Sequence, residues 1–256
     1  MQNTYTKVIA DLCGNHGGDL NRLKKMIKDA SRCNINIIKI QSFQAKKLIR
    51  GDKTLYEILE LSNEDHFEIF DYCEDQEIGF LCTCFDIDRV DFLASVSPKM
   101  VKVASPDLTS YKMIDKLMDK FDLVIISTAS GTDKEIEETM RRYPDAKFLH
   151  CNPYYPTDPN HVNMRKMLKF NMHGFSDHTL GTNAAKMAIS LGAKYLEKHF
   201  TLDRFSSGPD QMISGSLSEF FDICSFRDDI SSMSYSYQTI NQEYRDKYIG
   251  RWGNNA

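Results

Sequence analysis

His173-Gly174-Phe175-Ser176-Asp177-His178 and Ala193-Lys194-Tyr195-Leu196-Glu197-Lys198-His199-Phe200 flank a helical pattern at Thr182–Leu191. Each flank reads as a short strand. The segment between them spaces its apolar residues for one face of a helix and ends at Gly192, a residue suited to the left-handed turn that closes a helix. Strand, helix, strand is the unit from which parallel sheets are built, because two parallel neighbours need a long crossover between them. The same rhythm repeats upstream. Strand candidates fall at Val8–Cys13, Ile37–Gln41, Gly79–Cys84, Met100–Ser105, Leu123–Thr128 and Ala146–Cys151. Helical patterns fall near Asp19–Cys33, Asn63–Gln76, Ile87–Val96, Ser110–Lys120, Asp133–Tyr143 and His161–Phe170, with a last one from about Ser216. Asp19 and Asp133 suit helix N-caps, and Gly79, like Gly192, suits a helix C-cap.

Eight such units in about 230 residues match a (β/α)8 TIM barrel. The competitor is an open doubly wound sheet, which usually carries a glycine fingerprint after its first strand. Gly14-Asn15-His16-Gly17-Gly18 is glycine-rich there but lacks the GxGxxG spacing. Residues 1–230 are therefore expected to form one catalytic barrel. Residues 231–256 form a polar, aromatic tail with Tyr235, Tyr237, Tyr244, Tyr248 and Trp252, and no fold is assigned to them. Leu48–Glu60 and Asp203–Gly215 read as long loops, which on a compact fold often carry function.

Composition narrows the function. The chain has 256 residues, 41% of them hydrophobic, enough for one sizeable core. A net charge of -4 and a pI near 6.0 argue against a nucleic-acid partner. Apolar runs are far shorter than the ~20 residues a membrane helix needs. Residues 1–7 hold no apolar signal core, so a cytoplasmic protein is expected. The seven cysteines sit in apolar strands or helical patterns, which points to buried thiols rather than disulfides. Cys82 and Cys84 share one side of a strand, where packing is the simpler reading than metal binding.

In a barrel, chemistry sits at the C-terminal strand ends. Those ends give Asp11, Lys39 with Gln41, Thr83, Lys102 with Ser105, Ser127 with Thr128, Asn152 with Tyr155, His178 and His199. Taken singly, a strand lysine is often an edge residue, and a serine at a strand end often forms a turn. What gives the set weight is recurrence at the same edge of successive units. Lys39 and Lys102 are each flanked by β-branched residues, where an ammonium is costly unless it meets an anion. Two such lysines with several hydroxyls suit a small, multiply charged anion such as a phosphate plus a carboxylate. His178 and His199, about twenty residues apart on adjacent strand ends, suit one transition-metal ion. His16, His66, His150, His161 and His173 read as surface or core histidines.

Val8–Gly18, Ile38-Lys39-Ile40-Gln41, Lys102–Ser105, Ile126-Ser127-Thr128 and Leu149–Pro156 together resemble the sialic acid synthase (nonulosonic acid synthase) family. So do Ser176–Gly181, Glu197–Asp203 and Gly208-Pro209-Asp210. The resemblance implies a barrel that condenses phosphoenolpyruvate with an aldose, typically N-acetylmannosamine-like, to a nine-carbon 2-keto acid and phosphate. It implies a divalent cation on His178 and His199, manganese first, with magnesium or cobalt as alternatives. It places phosphoenolpyruvate on Lys39, Thr83, Lys102, Ser105, Ser127 and Asn152, and the sugar on Gln41, Tyr155 and Asp210. Asp11, with the two lysines, takes the catalytic part by orienting or deprotonating water. Family members commonly pair as homodimers. A related synthase making a shorter sugar acid, and a silent relative that only binds sugar phosphate, are the alternatives. The family usually has Glu where Asp11 stands and often His where Gln211 stands. Many members also continue into a small antifreeze-like domain, which these residues do not include.

Overall fold

The computed structural model describes residues 5–235, 242–249 and 251. Eight parallel strands close into a barrel in chain order, β8 pairing back to β1. They are β1 Lys7–Asp11, β2 Ile37–Ser42, β3 Gly79–Cys84, β4 Met100–Val103, β5 Leu123–Ser127, β6 Lys147–Cys151, β7 Gly174–Asp177 and β8 Tyr195–His199. Around them run α1 Leu20–Ser31, α2 Lys53–Leu59, α3 Asn63–Asp75, α4 Val90–Val96, α5 Tyr111–Lys120, α6 Asp133–Arg142, α7 Arg165–Lys169, α8 Asn183–Ser190 and α9 Leu217–Tyr235. Beyond them lies α10 Gln242–Tyr248. The expected barrel is thus observed. Helix α9 continues to Tyr235, past the expected boundary at 230. Tyr244 and Tyr248 lie on α10, whereas Tyr237 and Trp252 fall outside the described residues.

Strand side chains alternate between the two faces of a sheet. Outward positions such as Val8, Ile38, Cys82, Val101, Ile126 and Phe148 join the helices in one large core. Inward positions change character along the strand. Ile9, Ile37, Leu81, Ile125 and Leu149 form a separate apolar layer inside the barrel. Two residues further on, the same faces carry Asp11, Lys39, Thr83, Ser127 and Cys151, all of which border one cavity. The barrel is therefore plugged by hydrocarbon at one end and polar at the other.

Local chemistry fixes the helix ends, with some departures from the sequence reading. Asp19 caps α1 as expected, its carboxylate accepting from Asn21 N and Arg22 N. At α6 the cap is Thr132 rather than Asp133, because Thr132 and Glu135 form a reciprocal capping box. Gly79 is not a C-cap. It opens β3, where an added Cβ would lie 2.9 Å from Asn36 O. Glu77, at φ 54, makes the left-handed turn after α3 instead. Gly192, at φ 87, closes α8 as read. Leu48–Glu60 is not all loop, for it contains α2, capped by Asp52. All seven cysteines are buried and free. Among the described residues no helix is long and apolar enough to cross a membrane.

Candidate active site

A cavity of about 750 Å³ opens at the C-terminal strand ends, a size typical of a ligand pocket. Its lining includes Asp11, Lys39, Gln41, Thr83, Lys102, Ser105, Ser127, Tyr155, His178, His199 and Asp210. Of the strand-end residues singled out in the sequence, Thr128 and Asn152 do not line it, the Thr128 hydroxyl donating instead to Leu149 O at 3.0 Å. The Asn152 side-chain amide donates to His161 O at 2.7 Å. What Asn152 offers is its carbonyl, which lies 2.8 Å from His178 Nδ1.

Parallel register sets the floor. Asp11 is level with Lys39 on one side and His199 on the other, Thr83 with Lys102, and Ser176 with Glu197. Lys39 Nζ lies 2.6 Å from Asp11 Oδ2 and 3.7 Å from Glu197 Oε1, and donates to Thr83 Oγ1 at 3.0 Å. Lys102 Nζ donates to Ser127 Oγ at 2.8 Å and to Glu197 Oε1 at 3.1 Å. Ser176 Oγ donates to the same Glu197 oxygen at 3.0 Å, while Glu197 Oε2 has no partner. Burial alone would raise the Glu197 pKa, but the ammonium groups of Lys102 and Lys39 overcome it and pull it to about 2. Burial opposes the charge on Lys39, yet Asp11 and Glu197 outweigh it and hold that proton more tightly than usual. Lys102 is shifted down, chiefly by burial. Glu197 thus anchors both lysines, and the sequence reading did not assign it. Its signal was parity, because it shares an inward face with His199 on β8.

At the rim the His178 and His199 rings stand 5.3 Å apart, centre to centre, and Tyr155 stacks on His178 at 4.1 Å. Nδ1 of His178, set against the Asn152 carbonyl, leaves Nε2 as the ring's free nitrogen. Cys151 Sγ lies 3.7 Å from the same Nδ1. Burial opposes a charge on His178, but Cys151, the Asn152 carbonyl and Glu197 raise its pKa to about 9. His199 is shifted down by burial, and its Nδ1 is buried without a hydrogen-bond partner. A clamp holds these strand ends. Lys198 Nζ meets Asp177 Oδ2 at 2.9 Å and Thr179 O at 2.6 Å, while Asp177 Oδ1 accepts from Thr179 N and Oγ1, each at 2.8 Å. One group of metal-type donors converges further: Cys13, His199 and Asp210 place one ligand atom each within 4.8 Å of one another.

The sequence reading also missed an aromatic rim. Phe43 packs edge-on against Tyr56 at 5.3 Å and against Phe85 at 6.4 Å. Phe43 and Phe85 each follow the end of a strand directly, and Tyr56 comes from α2. All three border the cavity.

A closed parallel barrel with buried, carboxylate-paired lysines below and two imidazoles above, around one roomy pocket at the C-terminal strand ends, defines a barrel enzyme. The NeuB family model matches residues 26–237, and the chain belongs to that family. It is 38% identical over 228 residues to an uncharacterised protein of Methanocaldococcus jannaschii, covering 84% of this chain and 68% of that one. It is 34% identical over 239 residues to the N,N'-diacetyllegionaminic acid synthase of Campylobacter jejuni, covering 82% of this chain and 71% of that one. The crystal structure of the N-acetylneuraminic acid synthetase of Leptospira borgpetersenii superposes with a TM-score of 0.87 at 25% identity, covering 98% of this chain and 93% of that chain.

Proposed function

We propose that this chain condenses phosphoenolpyruvate with an N-acetylmannosamine-like aldose, giving a 2-keto nonulosonic acid and phosphate. The observation that carries the reading is the buried pair of lysines, bridged by Glu197 and flanked by Thr83, Ser127 and Ser176, at the floor of a roomy pocket. Lys39 and Lys102 hold the carboxylate and phosphate, and the hydroxyls orient them. Fixing the alkene beneath the incoming aldehyde removes the entropic part of the barrier. C3 of the enol attacks C1 of the open-chain sugar. Asp11, held by Lys39 and by the Cys13 backbone N–H at 3.0 Å, orients the water that adds at C2. Collapse of the resulting tetrahedral centre expels phosphate. Gln41, Tyr155 and Asp210 contact the sugar.

The donor set fits a divalent cation. Asp11 and Glu197 offset the two lysines in formal charge, and Asp210 adds a further carboxylate at the rim, so a multiply charged anion needs another positive charge nearby. His199 Nδ1 is buried without a hydrogen-bond partner, as expected of a ring that takes a ligand. A cation on His178 and His199 would polarise the aldehyde oxygen as a Lewis acid, and manganese is the ion the resemblance implies. The same reading carries a homodimer, which sedimentation would test. The decisive assay is phosphate release from phosphoenolpyruvate with manganese and a panel of aldoses. Release with one N-acetylated hexosamine is the expected result. Release only with a shorter aldose would point to a shorter sugar acid, and release with none would remove the synthase reading.

A further inference from the structure

The donor cluster at the rim contains a residue that the two-histidine site does not use. Cys13 follows β1 in a left-handed backbone conformation, φ 38, which a side chain with Cβ adopts at a cost. It is 2% exposed, and its sulfur, one His199 nitrogen and one Asp210 oxygen lie mutually within 4.8 Å. His199 is 5% exposed and keeps one ring nitrogen without a hydrogen bond.

The loops that carry the cluster are tied together. Asn15 Nδ2 donates to Phe200 O and to Ser214 Oγ, each at 2.8 Å, and Gln211 Nε2 donates to Asn15 O at 3.2 Å. Ser214 Oγ donates to the Asp210 carbonyl at 2.6 Å. Gln211, one of the departures from the family pattern, is thus a buried strut between the Cys13 loop and the Asp210 loop. These bonds fix the two loops whose Cys13 and Asp210 side chains lie beside His199.

We propose that Cys13 and Asp210 join His199 in holding a divalent cation, through a mixed sulfur, nitrogen and oxygen donor set that selects a borderline-soft ion such as zinc over magnesium or manganese. Thiolate and imidazole favour ions of that class, whereas magnesium and manganese are better served by oxygen. The inference rests on reading the rim as a metal centre. It adds Cys13 and Asp210 to His199 and departs from that reading in the ion, putting a borderline-soft cation where the resemblance implies manganese. A protonated Cys13 thiol resting against Asp210 is the competing account.

Cobalt(II), added to the metal-free protein, is the probe. A thiolate ligand gives a near-ultraviolet sulfur-to-cobalt charge-transfer band, whereas imidazole and carboxylate do not. The band is expected in the wild type and absent from both C13S and C13G. Glycine at φ 38 relieves strain, so C13G keeps the fold while removing the sulfur. Zinc affinity, measured against a chelating dye, should fall by about tenfold or more in C13G and in D210N, as losses of even supporting residues cost that much. Manganese affinity should fall less. A wild-type cobalt protein without the band overturns the proposal. So does a band that persists in C13G, since the sulfur would then belong to another cysteine, or zinc affinity unchanged in C13G. These readouts are independent of turnover. A sulfur band without condensation of any aldose defeats the proposed function alone, and condensation without a sulfur band defeats this inference alone.

Discussion

Glu197 is the residue on which the floor depends. Removing one member of a buried charge cluster usually costs about 3–5 kcal/mol, because the remaining charges are left uncompensated. E197Q should therefore unfold at lower urea than the wild type and bind phosphoenolpyruvate poorly. The pH dependence gives a second check. The folded pKa of Glu197, about 2, lies below its ordinary value of 4.5. Its stabilisation is thus present above pH 4.5 and is lost as pH falls through 2, amounting to something on the order of 3 kcal/mol. Acid titration of stability should show that loss in the wild type, and E197Q should lack it. Equal acid sensitivity in both would mean that Glu197 does not carry the charge assigned to it. At the rim, H178A and H199A should each abolish metal-dependent phosphate release while leaving the fold intact by circular dichroism. Full activity in either variant would remove that histidine from the site. Most of these residues were legible because polar groups recur at one edge of apolar runs. Glu197 and Cys13 were not. Glu197 hides between Leu196 and Lys198 in a charged motif, and only its parity with His199 reveals that it points inward. Cys13 carries no sign in sequence that its backbone turns left-handed towards His199.

At the scale of elements, β7 and β8 are locked by Lys198 and Asp177, whose side chains are fully buried. The loop after β7 hangs from this pair through Thr179, so the clamp sets where His178 stands. K198M should cost about 3–5 kcal/mol in urea unfolding by leaving Asp177 unpaired. It should also weaken metal binding although it touches no metal donor. Unchanged metal affinity would show that the loop holds its shape unaided. Strands such as β2 and β5 were readable as runs of β-branched residues, and the shorter β7 and β8 by their place in the repeating rhythm. Helix α2 was not, because Lys53–Leu59 makes only about two turns in which only Leu59 is buried, too little apolar repeat to reveal a period. The Asp133 cap was misplaced by one residue because Thr132 and Asp133 are both good caps, and the reciprocal bond with Glu135 decides between them.

For the whole molecule, the apolar packing and the chemistry occupy separate layers, with the buried charge pairs of the site adding to stability from above. The helices and the outer strand faces make the large core, the inner apolar layer plugs the barrel, and the polar site stands above the plug. Chelation should therefore stop turnover and lower the melting temperature only by the lost binding free energy of the cation, leaving a cooperative barrel transition, a comparison that calorimetry makes directly. A melt that collapsed on chelation would place the cation among the structural supports instead.

The plug of Ile9, Ile37, Leu81, Ile125 and Leu149 makes the barrel a cul-de-sac with a single doorway. Traffic through such a space has a fixed order. If, as proposed, the enol phosphate lies on the lysines, it must enter before the sugar that covers it, and inorganic phosphate, released deepest, must wait for the sugar acid to leave. Inhibition by phosphate should accordingly be competitive towards phosphoenolpyruvate and not towards the aldose.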